Sequence, residues 1–308
     1  MTDHDHAFLR PRILIPFIII TLIWGSTWIV IRDQLGPVPP PWSVTYRYVI
    51  ACAAMFAYAA ATRVPLAIGR EGHLLAIAFG IPQFVFNFNF VYAAEQYITS
   101  GVVAVVFALL LVPNSALAWL FLKHRISDRF LAGSAVAVTG VGLLFLHEIR
   151  TATASPGAVM VGIGLTLLGV LSASAANIMQ ATEKLRARPI AAMLAWGMLY
   201  GTIVNAAFGW IAYGPPVLEY RFGYWLGLVY LGLFASALAF TLYFRIIREV
   251  GPGRAAYSSL LVPIIAMAFS TLFEGYRWSL LAIGGGALAL LGLGIALKSS
   301  RPAAPVET

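Results

Sequence analysis

Residues 111–142 are LVPNSALAWLFLKHRISDRFLAGSAVAVTGVG, and residues 261–294 are LVPIIAMAFSTLFEGYRWSLLAIGGGALALLGLG. Both stretches open with Leu-Val-Pro, at a separation of 150 residues. Further along, at a shift of 152, Arg125, Ser127, Gly133, Gly140 and Gly142 recur as Arg277, Ser279, Gly285, Gly292 and Gly294. An earlier match, Pro41 with Pro189, has a shift of 148. The shared order predicts an internal repeat. It matches the apolar segments 98–121 and 129–147, helices 4 and 5 of the predicted fold, with 254–273 and 278–297, helices 9 and 10.

The composition around these stretches is that of a membrane protein. Of the 308 residues, 60% are apolar and 10% are charged, whereas a soluble protein uses roughly 25% charged residues. So few charges cannot cover a soluble exterior, and the same numbers exclude intrinsic disorder and collagen. The single cysteine, Cys52, excludes a disulfide-rich scaffold. The sequence therefore predicts an all-α integral membrane protein.

Ten runs are apolar over about 20 residues, which is the length that an α-helix needs to cross a bilayer. Charges and turn residues separate them, and the tightest turn falls at residues 95–99. The runs cover 13–31, 42–61, 73–93, 98–121, 129–147, 157–180, 190–213, 222–244, 254–273 and 278–297. They are too long and too uniformly apolar for the alternating strands of a β-barrel.

The Lys and Arg residues between the runs predict the orientation of the chain. With the N-terminus inside, 15 of the 20 basic residues lie in inner segments and four in outer segments, in line with the positive-inside rule. Residues 1–12 and 299–308 are then cytoplasmic tails. This bias accounts for the net charge of +8 without a nucleic-acid partner. The predicted domains are two five-helix repeats, at residues 13–147 and 157–298.

An odd number of helices in each repeat has a topological consequence. The second repeat begins on the opposite side of the membrane, so a pseudo-two-fold axis in the membrane plane relates the two halves. Inverted repeats of this kind are typical of secondary transporters, whose substrate site lies between the halves near the middle of the bilayer. The sequence thus predicts a transporter with a central cavity.

Ten helices arranged as five plus five resemble the drug/metabolite transporter superfamily, and within it the EamA-type exporters. The resemblance is carried by the Gly-rich helices 5 and 10 and by Trp24-Gly25-Ser26-Thr27-Trp28, Arg47, Tyr92-Ala93-Ala94, Pro113 and Pro263. The chain has Lys123-His124-Arg125 where members often have a Gly-Glu pair. The resemblance, nearest to the aromatic amino-acid exporters, implies alternating access across the cell inner membrane.

Ionisable residues inside a bilayer are costly and usually mark function. Arg47 lies inside the outer end of helix 2, where it either extends to the interface, contacts a substrate carboxylate or pairs with another helix. No Asp or Glu lies in the middle of a span. We therefore expect a neutral or zwitterionic substrate and transport without a buried-carboxylate proton relay.

Amides and tryptophans inside the spans are the main substrate-binding candidates. Gln83 and Asn87 share one face of helix 3 because they are four residues apart, and Asn177 lies in helix 6. Each amide either lines the cavity or links helices. Trp24 and Trp28 are also four residues apart, in helix 1, and their rings suit an aromatic or apolar substrate by stacking. Packing or lipid contact is the alternative for both.

Further candidates complete the predicted site. Ser26 lies between the two tryptophans, and Tyr257 and Ser258 begin helix 9, where they can face the same cavity from the other half. Pro113 and Pro263 interrupt the hydrogen bonding of their helices. Because the two prolines match in the repeat, they are predicted to act as a hinge or gate.

Motifs of other protein classes are missing from the sequence. It contains no P-loop and no HExxH or CxxC metal site, so we expect no ATP motor, no metal and no cofactor. The partners that we expect are the lipid bilayer and a small-molecule substrate, without nucleic acid. Aromatic or other large apolar amino acids are the leading substrates by resemblance. Threonine, homoserine, a purine or a nucleotide sugar stay as alternatives, and a lipid-modifying membrane enzyme or a scaffold are alternatives of other classes.

Overall fold

The computed structural model describes residues 11–122, 127–151, 155–250 and 258–299. Within these ranges the regular secondary structure is helical throughout. The predicted tails, 1–12 and 299–308, fall outside them apart from residues 11, 12 and 299.

The helices follow the order of the predicted spans and are numbered accordingly. They are α1 Pro11–Asp33, α2 Pro40–Ala61, α3 Gly69–Ala94, α4 residues 100–122, α5 Asp128–Thr151, α6 Pro156–Ala181, α7 Ile190–Tyr213, α8 residues 222–250, α9 Ser258–Phe273 and α10 Leu280–Ser299. A single helical turn, Glu183–Arg186, connects α6 to α7. The expected tight turn separates α3 from α4.

Eight of these helices, α1 to α8, are long and apolar enough to cross a membrane. The apolar parts of the last two are shorter within the described residues, at Leu261–Phe273 and Leu280–Ala296. The prediction of a multi-pass, all-helical membrane protein is confirmed. The count of ten spans and the side on which the termini lie stay predictions.

Local sequence accounts for several helix ends. Pro40 and Pro156 lie in the first turns of α2 and α6, where a helix leaves its N–H groups unpaired and proline is tolerated. Ser155 caps α6 by accepting a hydrogen bond of 3.3 Å from the backbone N–H of Ala158. At the C-terminal end of α7, Gly214 has a φ of +82°, a conformation that favours glycine.

Two helices at corresponding positions in the predicted repeats are widened by π-helical segments. These segments are Ile81–Phe86 in α3 and Tyr230–Leu238 in α8. Pro82 lies in the first and disfavours regular α-helical bonding there. The second contains no proline, so tertiary contacts and not a local breaker must stabilise it. π-Helical segments are rare in proteins, and those that do occur are often located at functional sites.

The matched prolines affect their helices differently. α4 is interrupted at Leu109 and Leu110, between the helical segments Ser100–Ala108 and Leu111–Leu122. A proline ring clashes with the carbonyl four residues before it, and Pro113 stands four residues after Leu109. α9, by contrast, continues through Pro263.

α5 and α10 pack through the glycines that the repeat matches. A methyl group added to Gly133 would lie 2.7 Å from the carbonyl oxygen of Gly292, and one added to Gly140 would lie 2.5 Å from that of Gly285. The shift of 152 residues matches Gly133 with Gly285 and Gly140 with Gly292, so the two contacts are equivalent under the repeat. Since the partner's number falls as the residue number rises, the two helices are antiparallel.

Other helices also pack in arrangements that are equivalent under the repeat. α2 packs against α7 and α4 against α9, so each of these four helices meets its predicted counterpart. α1 contacts α8 and α9, and its counterpart α6 contacts α3 and α4. Gly25 of the motif in α1 allows the close approach to α9, since an added methyl group would lie 2.6 Å from the Cβ of Ile265.

Candidate functional site

The helices surround a cavity of ≈ 150 Å³ between the two predicted repeats. Its wall is built by α1 to α4 from the first half and by α6, α8 and α9 from the second. Of the site residues proposed from the sequence, those on the wall are Trp24, Trp28, Arg47, Gln83, Asn87, Asn177 and Pro263.

Aromatic rings form one part of this wall. The ring of Trp24 meets those of Phe240 and Tyr243 edge to face, at centroid distances of 5.6 and 4.9 Å. The ring of Trp28 lies 5.1 Å from that of Phe107. The indole Nε1 of Trp28 has no hydrogen-bond partner within the described part of the chain. This surface can stack against an aromatic or apolar side chain and offers one free donor.

Side chains from neighbouring helices hold both π-helical segments in place. Trp24 Nε1 donates a hydrogen bond of 3.2 Å to the carbonyl oxygen of Ala235 in α8. Asn205 Nδ2 of α7 donates one of 2.9 Å to the carbonyl oxygen of Phe84 in α3. Each donor belongs to a distant part of the chain, so the π-helical geometry depends on the assembled bundle.

Arg47 is buried beside the cavity and does not extend to the membrane interface, which was one of the three alternatives for this residue. Its side chain is 1% exposed, and its Nε donates a hydrogen bond of 3.0 Å to Ser236 Oγ in α8. The guanidinium lies 4.2 Å from the ring centroid of Phe88, which is a cation–π geometry. Its Nη1 finds no acceptor among residues 11–122, 127–151, 155–250 and 258–299.

Amide groups supply the remaining polar atoms of the wall. The side-chain oxygens of Gln83, Asn87 and Asn114 are buried, and no hydrogen bond to a described residue satisfies them. Asn177 lines the cavity from α6. Asn89, on the opposite face of α3 from Asn87, turns away and donates a hydrogen bond of 2.7 Å to Asn205 Oδ1. Unsatisfied buried acceptors of this kind are costly unless water or a ligand supplies donors.

The other predicted site residues lie elsewhere or outside the described residues. Ser26 faces α8, where its hydroxyl lies 2.6 Å from that of Tyr230. Pro113 is not on the wall, although its neighbours Leu111 and Asn114 are. Tyr257 and the side chain of Ser258 lie outside the described part of the structure.

Several wall residues were missed by reasoning from the sequence. Asn114, Phe107, Phe240 and Tyr243 all line the cavity. The signal for Asn114 was present, because it is a polar residue directly after Pro113 in an otherwise apolar span. No comparable signal marks the three aromatic residues, since aromatic residues are spread over most of the spans.

A second buried polar group lies at the turn between α3 and α4. Glu95, the first residue after α3, is 0% exposed, and neither carboxyl oxygen has a hydrogen-bond partner among the residues described. Glu274, the first residue after α9, accepts hydrogen bonds from the backbone N–H of Ser100 at 3.2 Å and from its hydroxyl at 2.5 Å. The middle of each span is free of Asp and Glu, as the sequence shows. The burial of Glu95, directly after a span, was not predicted from the sequence.

Ion pairs join the two halves at both ends of the bundle. At the end that carries the α3–α4 turn, Arg221 lies 2.8 Å from Asp33, and Arg32 lies 3.6 Å from Glu274. At the other end, Glu71 is 3.0 Å from Lys184 and 3.1 Å from Arg188. Each pair links a residue of 13–147 to one of 157–298.

A metal centre is not recognisable among the described residues of the site. Within the described residues, no three His, Cys, Asp or Glu side chains gather in a way that could hold an ion. Cys52 is buried and unpaired. The described residues of the wall offer aromatic rings, amide groups and the guanidinium of Arg47 for contact with a ligand.

Comparison with known proteins identifies the class. The model of the EamA-like transporter family matches twice, at residues 12–146 and 160–298. Because these matches cover most of the chain, the chain belongs to the EamA-like transporter family. It is a multi-pass membrane transporter and not an enzyme.

Individual relatives are distant but extend over nearly the whole chain. Protein PagO of Salmonella typhimurium is 25% identical over 271 residues, with 88% of each chain covered. The "uncharacterized inner membrane transporter YedA" of Escherichia coli K12 is 27% identical, with 92% of each covered. A protein of the same strain named "probable amino-acid metabolite efflux pump" is 23% identical, with 90% of this chain and 91% of the relative covered.

A solved crystal structure has the same fold. Its TM-score is 0.68 at 16% sequence identity, and the match covers 92% of this chain and 95% of the other.

Proposed function

We propose that the protein exports aromatic or other large apolar amino acids across the cell inner membrane, as a secondary transporter working by alternating access. The observation that carries this proposal is the composition of the cavity wall. Arg47 presents a buried Nη1 without an acceptor among the described residues, and Trp24, Phe107 and Tyr243 line the same cavity.

A zwitterionic amino acid matches this wall group by group. Arg47 binds the substrate carboxylate through charge-assisted hydrogen bonds, the strongest kind available to a side chain. The oxygens of Gln83, Asn87 and Asn114 accept hydrogen bonds from the ammonium group. The aromatic rings receive the apolar side chain. The named efflux pump among the relatives supports the same substrate class.

The pairing of the helices supports alternating access. The cavity lies between two halves that each match the family model, and α5 and α10 meet through contacts that exchange under the repeat. Ion pairs between the halves lie at both ends. In the proposed cycle the pairs at one end break while those at the other form, and the cavity opens to each side in turn.

The cavity itself provides no carboxylate to carry a proton with the substrate. None of the described residues on its wall is Asp or Glu. We therefore propose that the substrate crosses the cavity without a proton relay through the wall, so exchange of substrate needs no ion gradient.

Counterflow in proteoliposomes tests this function. The purified protein is reconstituted into vesicles loaded in turn with unlabelled Phe, Trp, Tyr, Thr, Lys or a nucleobase, and uptake of the matching labelled compound is followed without an ion gradient. We expect uptake of the three aromatic amino acids above that of protein-free vesicles. Uptake of Thr or the nucleobase alone would keep the transport mechanism and refute the substrate. No uptake of any compound, with or without a proton gradient, would refute transport of these substrates.

A further inference from the structure

Glu95 is the least satisfied ionisable group that the structure describes outside the cavity. It follows Ala94, the last residue of α3, and its side chain is fully buried. Neither carboxyl oxygen receives a hydrogen bond from any residue of the described ranges. A carboxylate in such a place loses its hydration and gains nothing in return. The geometry therefore favours the neutral acid, which has one charge fewer to solvate.

Glu274 has the opposite surroundings, although it lies close to Glu95. It accepts two hydrogen bonds from Ser100, at the start of α4, and it faces the guanidinium of Arg32. A helix start carries partial positive charge, and a helix end carries partial negative charge. Glu274 thus has hydrogen-bond donors and a cation beside it, whereas Glu95 has no hydrogen-bond donor among the described residues and stands at the negative end of α3. A carboxyl group that is buried without donors, at a negative helix end, is favoured in its neutral form.

The groups around Glu95 oppose its ionisation overall. Burial raises the pKa of Glu95 well above its usual value, and the negative charge of Glu274 raises it further. Arg32 and Arg47 act in the other direction and do not reverse the effect. Tyr92, one turn earlier on α3, is also buried and presents a neutral hydroxyl. Glu95 lies outside the membrane-spanning part of α3, which ends at Ala94.

We propose that Glu95 is a proton-binding site that holds a proton while the α3–α4 end of the molecule is closed and releases it to water when that end opens. This rests on the proposed alternating access. Opening separates the half that carries Arg32 and Ser100 from the half that carries Glu274, and water then reaches the carboxyl group. The acid loses H⁺ and becomes a hydrated carboxylate, and closing reverses the step.

Linkage gives the sign of the resulting pH dependence. The closed state has the raised pKa, so it binds the proton more tightly than the open state. Lowering the pH from neutrality therefore favours closure of this end, and raising the pH favours opening. Between the two pKa values, one linked proton changes the ratio of open to closed molecules by about tenfold per pH unit.

Two measurements test the site without relying on transport. The infrared difference spectrum between wild type and Glu95→Gln at neutral pH should contain the carbonyl stretch of a protonated carboxylic acid. Spin labels at Gln96→Cys and Arg277→Cys, with Cys52→Ala, then report the distance across the closed end by electron spin resonance. In the wild-type background the longer distance should gain population as the pH rises. In Glu95→Gln it should not respond to pH.

Glu183→Gln is the matched control, because Glu183 is exposed and follows α6 at the opposite end. It should leave both the infrared band and the pH response unchanged. A missing acid band, or a pH response that survives in Glu95→Gln, would overturn the inference. Counterflow measured on the same samples decides the proposed function separately, since Glu95 does not line the cavity and the two spectroscopic readouts need no substrate.

Discussion

Arg47 is a buried cation without a carboxylate partner among the described residues. Removing a charge from water costs several kcal/mol unless other groups replace its hydration. Ser236 and the face of Phe88 replace part of it. Nη1 has no acceptor among the described residues, and Arg47 lines the cavity, so a bound carboxylate would complete the coordination of the guanidinium.

Replacing Arg47 tests this role at the level of one residue. Hydrogen bonds to charged groups contribute about 1.5–3 kcal/mol, so Arg47→Gln should weaken phenylalanine binding roughly tenfold to a hundredfold. Phenethylamine lacks the carboxylate, and its weaker binding should hardly change. Calorimetric titration of the purified variants measures both.

Arg129→Gln provides the control for a general loss of charge, since Arg129 is exposed at the start of α5 and does not line the cavity. It should bind phenylalanine as the wild type does. An equal loss for phenylalanine and phenethylamine in Arg47→Gln would assign Arg47 to packing between α2 and α8 instead.

At the scale of helices, the contact between α5 and α10 is the closest that the repeat produces. Glycines let the two backbones approach, as small residues do at helix interfaces in membranes. The repeat also matches Gly142 with Gly294, yet a methyl group at either position would meet nothing within 4 Å. Only the matching glycines at the contact between α5 and α10 therefore need to lack a side chain.

The Gly140→Ala variant should be destabilised. Its new methyl group would lie 2.5 Å from the carbonyl oxygen of Gly285, and backbone atoms cannot move aside as a side chain can. Overpacking of this kind costs about 1–3 kcal/mol. Thermal unfolding in detergent should show a lower midpoint than wild type.

Gly142→Ala is the comparison on the same helix, where the added methyl group has open space. Because glycine is a poor helix former, this variant should be unchanged or slightly more stable. Equal midpoints for the two variants would contradict the close approach of α5 and α10.

The two halves of the molecule differ in the residues of the proposed site, although their helices pair in equivalent ways. Arg47 would correspond to Ala195 at the shift that relates Pro41 to Pro189, so the second half offers no matching cation. The π-helical segments occur in both halves, but a tryptophan supports one and an asparagine the other. The two halves thus share an architecture while the first supplies the cation of the proposed site.

The distribution of Lys and Arg predicts the orientation of the entire chain. Green fluorescent protein fused after residue 308 should fluoresce, because it folds inside the cell. Alkaline phosphatase inserted within residues 214–221 should be active, since that segment is predicted to lie outside. The same enzyme inserted within residues 63–68 should be inactive. The reverse pattern would place the termini outside and invert the orientation.

Hydropathy was sufficient to predict the class of protein and the order of the helices. The type and spacing of polar and aromatic residues within the spans indicated several residues of the cavity wall. These depend on local properties: twenty apolar residues suit a bilayer whatever surrounds them, and a four-residue spacing brings Gln83 and Asn87 to one face of α3. The repeat followed from residue order alone, and the family match agrees with the resemblance that the sequence carried.

Packing of distant segments determined the rest. The position of Arg47 near the end of its span was compatible with a side chain that reaches the membrane interface. In the assembled bundle, Arg47 is instead buried beside Ser236 of α8 and Phe88 of α3. Glu95 belonged to a turn, and only the assembly of α1, α4 and α9 around that turn removed it from water. Burial and charge at one residue depend on elements far away in the chain, and no local pattern records where those elements will pack.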